Sequence, residues 1–176
     1  MMATFEVSDE KLEETELALL IGKITMLWNQ LHDTTRYCFP IVLGENPKLV
    51  SAVLDPIKSD DVQRNVVLSV IHFALPGDQH ADLRDEASRL FNLIGRLAGQ
   101  RNGFVHSSWI RTDGGRAEVS SVLKKPHGAI DRSEPLKQGM ELLRQIESAL
   151  SQMFILWGKL QSAIGPRSHH PQYNPS

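Results

Sequence analysis

The run Arg101-Asn102-Gly103-Phe104-Val105-His106 closes a long amphipathic pattern and leads directly into Ser107-Ser108-Trp109. Counting back from Arg101, apolar residues recur at Leu97, Ile94, Leu90, Ala87 and Leu83. Steps of three and four mark one face of an α-helix, so the spacing predicts a helix from about Gln79 to His106. Arg101 takes the next position on that seam, where a leucine is expected. Burying an unpaired charge costs several kcal/mol. The guanidinium therefore faces water, a carboxylate or a ligand phosphate, or the seam opens into a groove there.

The same helix has a second face. At about 100° per residue, Ser88, Asn92, Gly95, Gly99, Asn102 and His106 fall together, away from the seam. This side has almost no bulk, and each Gly costs about 0.5–1 kcal/mol relative to Ala in a helix. Close approach of another backbone offsets that cost. The first expectation is a neighbouring helix of the same chain; the sharper one is a second protomer or a nucleotide beside His106.

Upstream, Ser8-Asp9-Glu10 supplies an N-cap and an acidic first turn. Leu17, Leu20, Ile21, Ile24, Leu27, Trp28 and Leu31 then share one face of a first helix, expected to end near Phe39, before Pro40. Trp28 is read as core. Asn46-Pro47 opens a short helix over Leu49 to Leu54, and Ser59-Asp60-Asp61 caps another, with Val62, Val66, Val67, Val70, Ile71 and Phe73 as its core face to about Leu75. Adjacent acids on a helix diverge, so Asp60 and Asp61 are dipole partners rather than metal ligands. His72 is expected at the edge of the core, and Arg64-Asn65 on ordinary helix surface.

Downstream the period changes. Ser108 to Thr112, Asp113-Gly114-Gly115 and Arg116 to Leu123 read as a β-hairpin with a glycine turn, anchored by Trp109. Arg111, Arg116, Lys124 and Lys125 make it the most basic local element, either a solvated face or a set of phosphate contacts. Ser133-Glu134-Pro135 then caps the last helix, whose seam is Leu136, Met140, Leu143, Ile146, Leu150, Met153, Trp157 and Leu160, ending near Gly165-Pro166. The expected class is all-α: an up-and-down four-helix bundle with a small β-hairpin inserted before the last helix. One domain is expected over residues 8–165, with flexible termini at 1–7 and 166–176.

Composition narrows the function. The 176 residues carry 19 basic against 21 acidic side chains, a net charge of −2, so any RNA contact must be local. Cys38 is the single cysteine, which excludes an intrachain disulfide and reads as a small buried hydrophobe. No apolar run is long enough to span a bilayer and no signal peptide is visible, so no membrane role and a cytoplasmic location are expected. No Walker-type loop, dinucleotide glycine pattern, zincin helix or zinc-knuckle cysteine pair is present, and no cofactor is expected.

Arg101, Asn102 and His106 resemble the Arg-Asn-x-x-x-His signature of the HEPN domains, small helical bundles of which many are metal-independent ribonucleases. The family carries the motif near the end of a core helix, as the pattern before Arg101 predicts here. Trp28-Asn29-Gln30-Leu31 also resembles the first helix of some bacterial HEPN-like proteins. The resemblance implies an endoribonuclease that needs no metal, cleaves through the 2′-hydroxyl and builds a shared cleft at the axis of a homodimer. Toxins and phage-defence nucleases belong to the family, so an antitoxin or partner protein is a further expectation.

The chemistry suits these residue types. Cleavage needs a proton removed from the 2′-hydroxyl, charge stabilised at phosphorus and a proton given to the leaving oxygen. Histidine as a residue type does either proton job near neutrality. Arginine grips two phosphate oxygens with a planar fork. One chain offers one such pair, so base and acid together imply two copies. Asn102, one turn from His106, is expected to orient the imidazole or hold a phosphate oxygen. On a regular helix Arg101 and His106 point about 140° apart, so convergence requires the long arginine arm, unwinding near Gly103, or both protomers. Two other readings stand beside this one. A non-catalytic HEPN-like module would bind nucleotide or protein in the same groove, and a structural dimer would pair Arg101 with Glu14, Glu16 or Asp33.

Overall fold

The computed structural model describes residues 9–44, 47–106, 109–111, 117–119 and 134–165. Among them the fold is all-α, built on α1 (Asp9–Leu43), α2 (Pro47–Leu54), α3 (Asp60–Ala74), α4 (Ala81–Val105) and α5 (Pro135–Ile164), with one 3-10 turn at Asp78–His80. Two three-residue strands, β1 (Trp109–Arg111) and β2 (Ala117–Val119), pair antiparallel with Trp109 opposite Val119. The glycine turn, the outer parts of both expected arms and both expected flexible termini lie outside the described residues. Contacts divide the chain into two compact units. Unit 1 is Met1–Gln30 with Leu93–Ala149, and unit 2 is Leu31–Asn92 with Leu150–Ser176.

In unit 1, Leu17, Leu20, Ile24 and Trp28 of α1 are buried, as are Ile94, Leu97 and Phe104 of α4 and Leu142, Leu143 and Ile146 of α5. Burying one such side chain fully contributes about 1.5–3 kcal/mol. The close approach among these helices falls at Gly139. A Cβ added there would lie 2.5 Å from both Leu20 Cδ2 and Phe104 Cζ, so only glycine lets the three helices meet as they do. Met140, expected on the α5 seam, is instead 45% exposed. At this one position Gly139 faces inward instead, while Leu143 and Ile146 of the expected seam are buried.

In unit 2, α1 does not stop before Pro40. It runs through the proline to Leu43, and the amide of Gly44, at φ 68°, bonds to the Pro40 carbonyl at 2.8 Å. A proline inside a helix removes one intrahelical donor. Here Phe39 and Val42, both buried, lie either side of it and offset that loss. The helix ends where glycine supplies the left-handed conformation, a glycine terminus in the position C-terminal caps favour.

The face assigned to α3 also needs correction. Val67 and Ile71 are buried as expected, but Val62 is 46% exposed and Phe73 is 84% exposed. The positions turned inward are Gln63 and Arg64, so Arg64 is not helix surface. Gln63 is buried because its Nε2 donates to the carbonyls of Leu54 and Ile57 at 3.0 and 2.7 Å, satisfying backbone left open at the end of α2. Ser59 does cap α3, its Oγ accepting from the Val62 amide at 3.4 Å. His72 is exposed and bonds to Ser88 Oγ at 2.9 Å.

Candidate functional site

Helix α4 delivers Arg101 and Asn102 in its final turns, with His106 one residue beyond its end. Leu97, one turn before the motif, and Phe104, within it, are buried and anchor this end of the helix. The His106 amide bonds to the Asn102 carbonyl at 3.1 Å, so the helical geometry continues through Gly103. Unwinding at Gly103 is therefore not the route to convergence. Five residues of regular helix place Arg101 and His106 about 7.5 Å apart along the axis and about 140° apart around it.

Arg101 is half-buried, and its Nη1 donates to Asn102 Oδ1 at 2.9 Å. Asn102 thus braces the guanidinium of its neighbour rather than the imidazole of His106. The Arg101 Nε is buried without a hydrogen-bond partner. Among the described residues none of the ion pairs involves Arg101. Among the described residues, the bond to Asn102 is the only hydrogen bond of its side chain. His106 is exposed, and its ring makes no hydrogen bond among the described residues.

The small face beside His106 is open. A Cβ built on Gly95 or on Gly99 meets nothing within 4 Å. Among the described residues, no neighbouring helix of the same chain packs closely against these glycines, contrary to the first expectation. Of the expected phosphate-contact residues, Arg111 lies on β1, while Lys124 and Lys125 lie outside the described residues.

Other candidates of the sequence are accounted for structurally. Cys38 is fully buried, its Sγ 3.7 Å from Met153 Sδ, and burial pushes its pKa from 9.0 up to about 12, partly opposed by the Trp157 side chain. A thiol so held is not a nucleophile near neutral pH. Asp61 bonds to Arg64 and Asn65, and Asp60 lies 3.6 Å from His32 Nε2. Among the described residues no three His, Cys, Asp or Glu side chains gather as a metal-ligand set, and no helix is long and apolar enough to cross a membrane.

Sequence reading passed over a cavity in unit 2, lined by residues of α1 and α2 including Asp33, Arg36 and Tyr37. The available signal was an acid and a base, Asp33 and Arg36, one turn apart on α1. No family model matches the chain, and no curated protein or solved structure matches it.

Proposed function

We propose that this chain is a HEPN-type endoribonuclease that acts as a homodimer and cleaves RNA through the 2′-hydroxyl. In this reading the helices form an up-and-down four-helix bundle with the hairpin inserted before α5, and the α4 ends of two copies share one cleft. The observation that carries it is the Arg101-Asn102-x-x-x-His106 motif at the end of a core helix, its arginine in no ion pair among the described residues and its imidazole exposed. A structural arginine in such a place is ordinarily tied to a carboxylate.

The divergence of Arg101 and His106 along a regular helix favours a composite site. Two copies bring two imidazoles and two guanidinium forks. One imidazole takes the 2′-hydroxyl proton and the other protonates the leaving 5′ oxygen, while the forks hold the charge that builds on the phosphorus oxygens. Acid, base and charge stabilisation are then all supplied by side chains, with no metal in the scheme. Asn102 holds the Arg101 fork at the angle the phosphate needs. The open backbone at Gly95 and Gly99 supports the approach of a second copy, and Arg111, Lys124 and Lys125 grip flanking phosphates. A cytoplasmic toxin or defence role, restrained by an antitoxin, fits such an enzyme.

The test is incubation of the purified protein with RNA in a chelator, beside His106→Ala and Arg101→Ala. Wild type is expected to cut and leave 2′,3′-cyclic phosphate ends, with each variant slower by about 10²–10⁴-fold. Equal cutting by all three proteins removes the proposal. RNA binding without turnover, weakening as salt rises, marks a binding module instead.

A further inference from the structure

Unit 2 contains a half-enclosed cavity of about 200 Å³ lined by Asp33, Arg36, Tyr37, Pro40, Val50 and Ser51. One wall is the C-terminal part of α1 and the other is α2. Its polar groups are unusual for a packing defect, which is ordinarily apolar. Asp33 and Arg36 stand three residues apart on α1, a spacing that brings Cβ atoms within about 5–6 Å and suits a salt bridge. They do not pair. The Arg36 Nη2 donates instead to Asp55 Oδ1, and that is the only hydrogen bond of its side chain among the described residues.

A guanidinium has five N–H donors, so this bond leaves most of the Arg36 fork unused. The side chain is 23% exposed, which holds it near the cavity wall rather than in open solvent. Asp33 accepts no hydrogen bond among the described residues. Its nearest charge-capable neighbour is His32 Nδ1, at 3.9 Å. The cavity therefore presents, beside Pro40 and Val50, a solvent-exposed acid (Asp33, 66% exposed) whose nearest charged partner is His32, and a base that keeps donors beyond its pair with Asp55.

The α1 wall also carries the half-exposed Tyr37. Tyr37 packs edge-to-face on Trp157 with ring centroids 5.8 Å apart, Trp157 does the same with Phe154 at 5.5 Å, and the Trp157 indole N–H donates to the Thr34 carbonyl at 3.1 Å. A fixed aromatic face beside two opposite charges is preorganised for a ligand with opposite charges on adjacent atoms and an apolar group.

We propose that this cavity binds a free α-amino acid with an apolar side chain. The ammonium pairs with the Asp33 carboxylate, and the carboxylate takes the open edge of the Arg36 fork, a geometry that two parallel N–H donors favour. The side chain lies against Pro40, Val50 and the Tyr37 ring, with the Ser51 hydroxyl at the rim. Size agrees with the assignment. A volume of about 200 Å³ holds roughly seven waters at about 30 Å³ each, well below the roughly 300–1,000 Å³ of pockets that enclose larger ligands. A nucleotide does not fit. The site lies within unit 2, while the RNA-cleaving motif lies in unit 1, so the two assignments stand or fall separately.

The experiment is titration of the isotope-labelled full chain, read by amide chemical shifts, with L-leucine, with isopentylamine and with 4-methylpentanoate. A half-exposed ligand of this size is expected to bind with Kd on the order of a millimolar. Leucine should give saturable shifts at Tyr37, Val50 and Ser51, and each single-charge analogue should bind at least about tenfold more weakly. Asp33→Asn should weaken leucine by about tenfold or more and leave 4-methylpentanoate unaffected. Asp55→Asn, which releases the fork, should retain leucine binding. Each variant's own amide spectrum reports whether it is folded. No saturable shift at the cavity, equal binding of all three compounds, or unchanged leucine affinity in a folded Asp33→Asn protein would overturn the assignment.

Discussion

The two units hold themselves together in different ways. In unit 2, polar side chains tie one element to the next and, through Lys159, to one far along the chain. Gln63 closes the end of α2, Arg84 donates to the carbonyls of Leu75 and Gly77 at 2.5 and 2.7 Å, and Lys159 reaches Glu86 at 2.6 Å. In unit 1, the polar residues at the end of α4 bond only to each other or to nothing among the described residues, and shape does the joining at Gly139. The lesson is about where a chain can afford unsatisfied chemistry. An arginine and a histidine that tie no other element among the described residues suit a ligand role, and the packing around them then comes from apolar fit.

The sharpest way to break this comparison is at Gly139. Any added side chain must displace the buried Leu20 and Phe104, and overpacking of that kind costs about 1–3 kcal/mol. Gly139→Val is expected to lie toward the upper end of that range. Gly139→Ala is expected to cost about 1 kcal/mol net, since alanine recovers part of the loss through its helix preference. Urea unfolding measures both. A neutral Gly139→Val would show that unit 1 does not depend on that close approach.

Unit 2 can be probed through its buried thiol. The folded Cys38 holds its proton to about pH 12, whereas an exposed thiol releases it near 9.0. A raised folded pKa means that the stabilisation is complete below the unfolded value and is lost as pH rises from the unfolded to the folded one. By pH 10 the loss is expected to reach about 1–1.5 kcal/mol, measured as the difference in unfolding free energy between wild type and Cys38→Ala, which cancels other alkaline titrations. Identical pH dependence in the two proteins would place the thiol in contact with water.

The smallest expected effect has the opposite sign. Gly95→Ala and Gly99→Ala meet open space, so each is expected to stabilise the isolated chain by about 0.5–1 kcal/mol. If this face receives a second copy, the double variant should also lose dimer in sedimentation, together with RNA cleavage. Stabilisation with both unchanged would move the dimer contact elsewhere. The same substitution thus separates a glycine needed inside one chain from glycines needed only by an assembly.

Much of the architecture was legible before any coordinates. The seam from Leu83 to Leu97, the Ser59 cap and the start of α5 at Pro135 all follow from spacing and local hydrogen-bond needs. The misreadings have definite causes. Pro40 looked like a terminus because proline removes a donor, but burial of Phe39 and Val42 outweighs one lost bond. Val62 and Phe73 looked like core because they are apolar, yet α3 turns Gln63 and Arg64 inward. Gly95 and Gly99 looked like an internal contact, and they meet nothing.

Periodicity and capping by themselves determined where the helices run and that Arg101, Asn102 and His106 fall at the end of one of them, because both depend on residues within a turn or two of each other. Which face of α3 is buried, which glycine admits a neighbouring helix, and whether Arg101 is bound to a carboxylate were decided only by tertiary structure. Each is a competition among groups far apart in the chain, for space or for a hydrogen-bond partner, and no local spacing encodes its outcome.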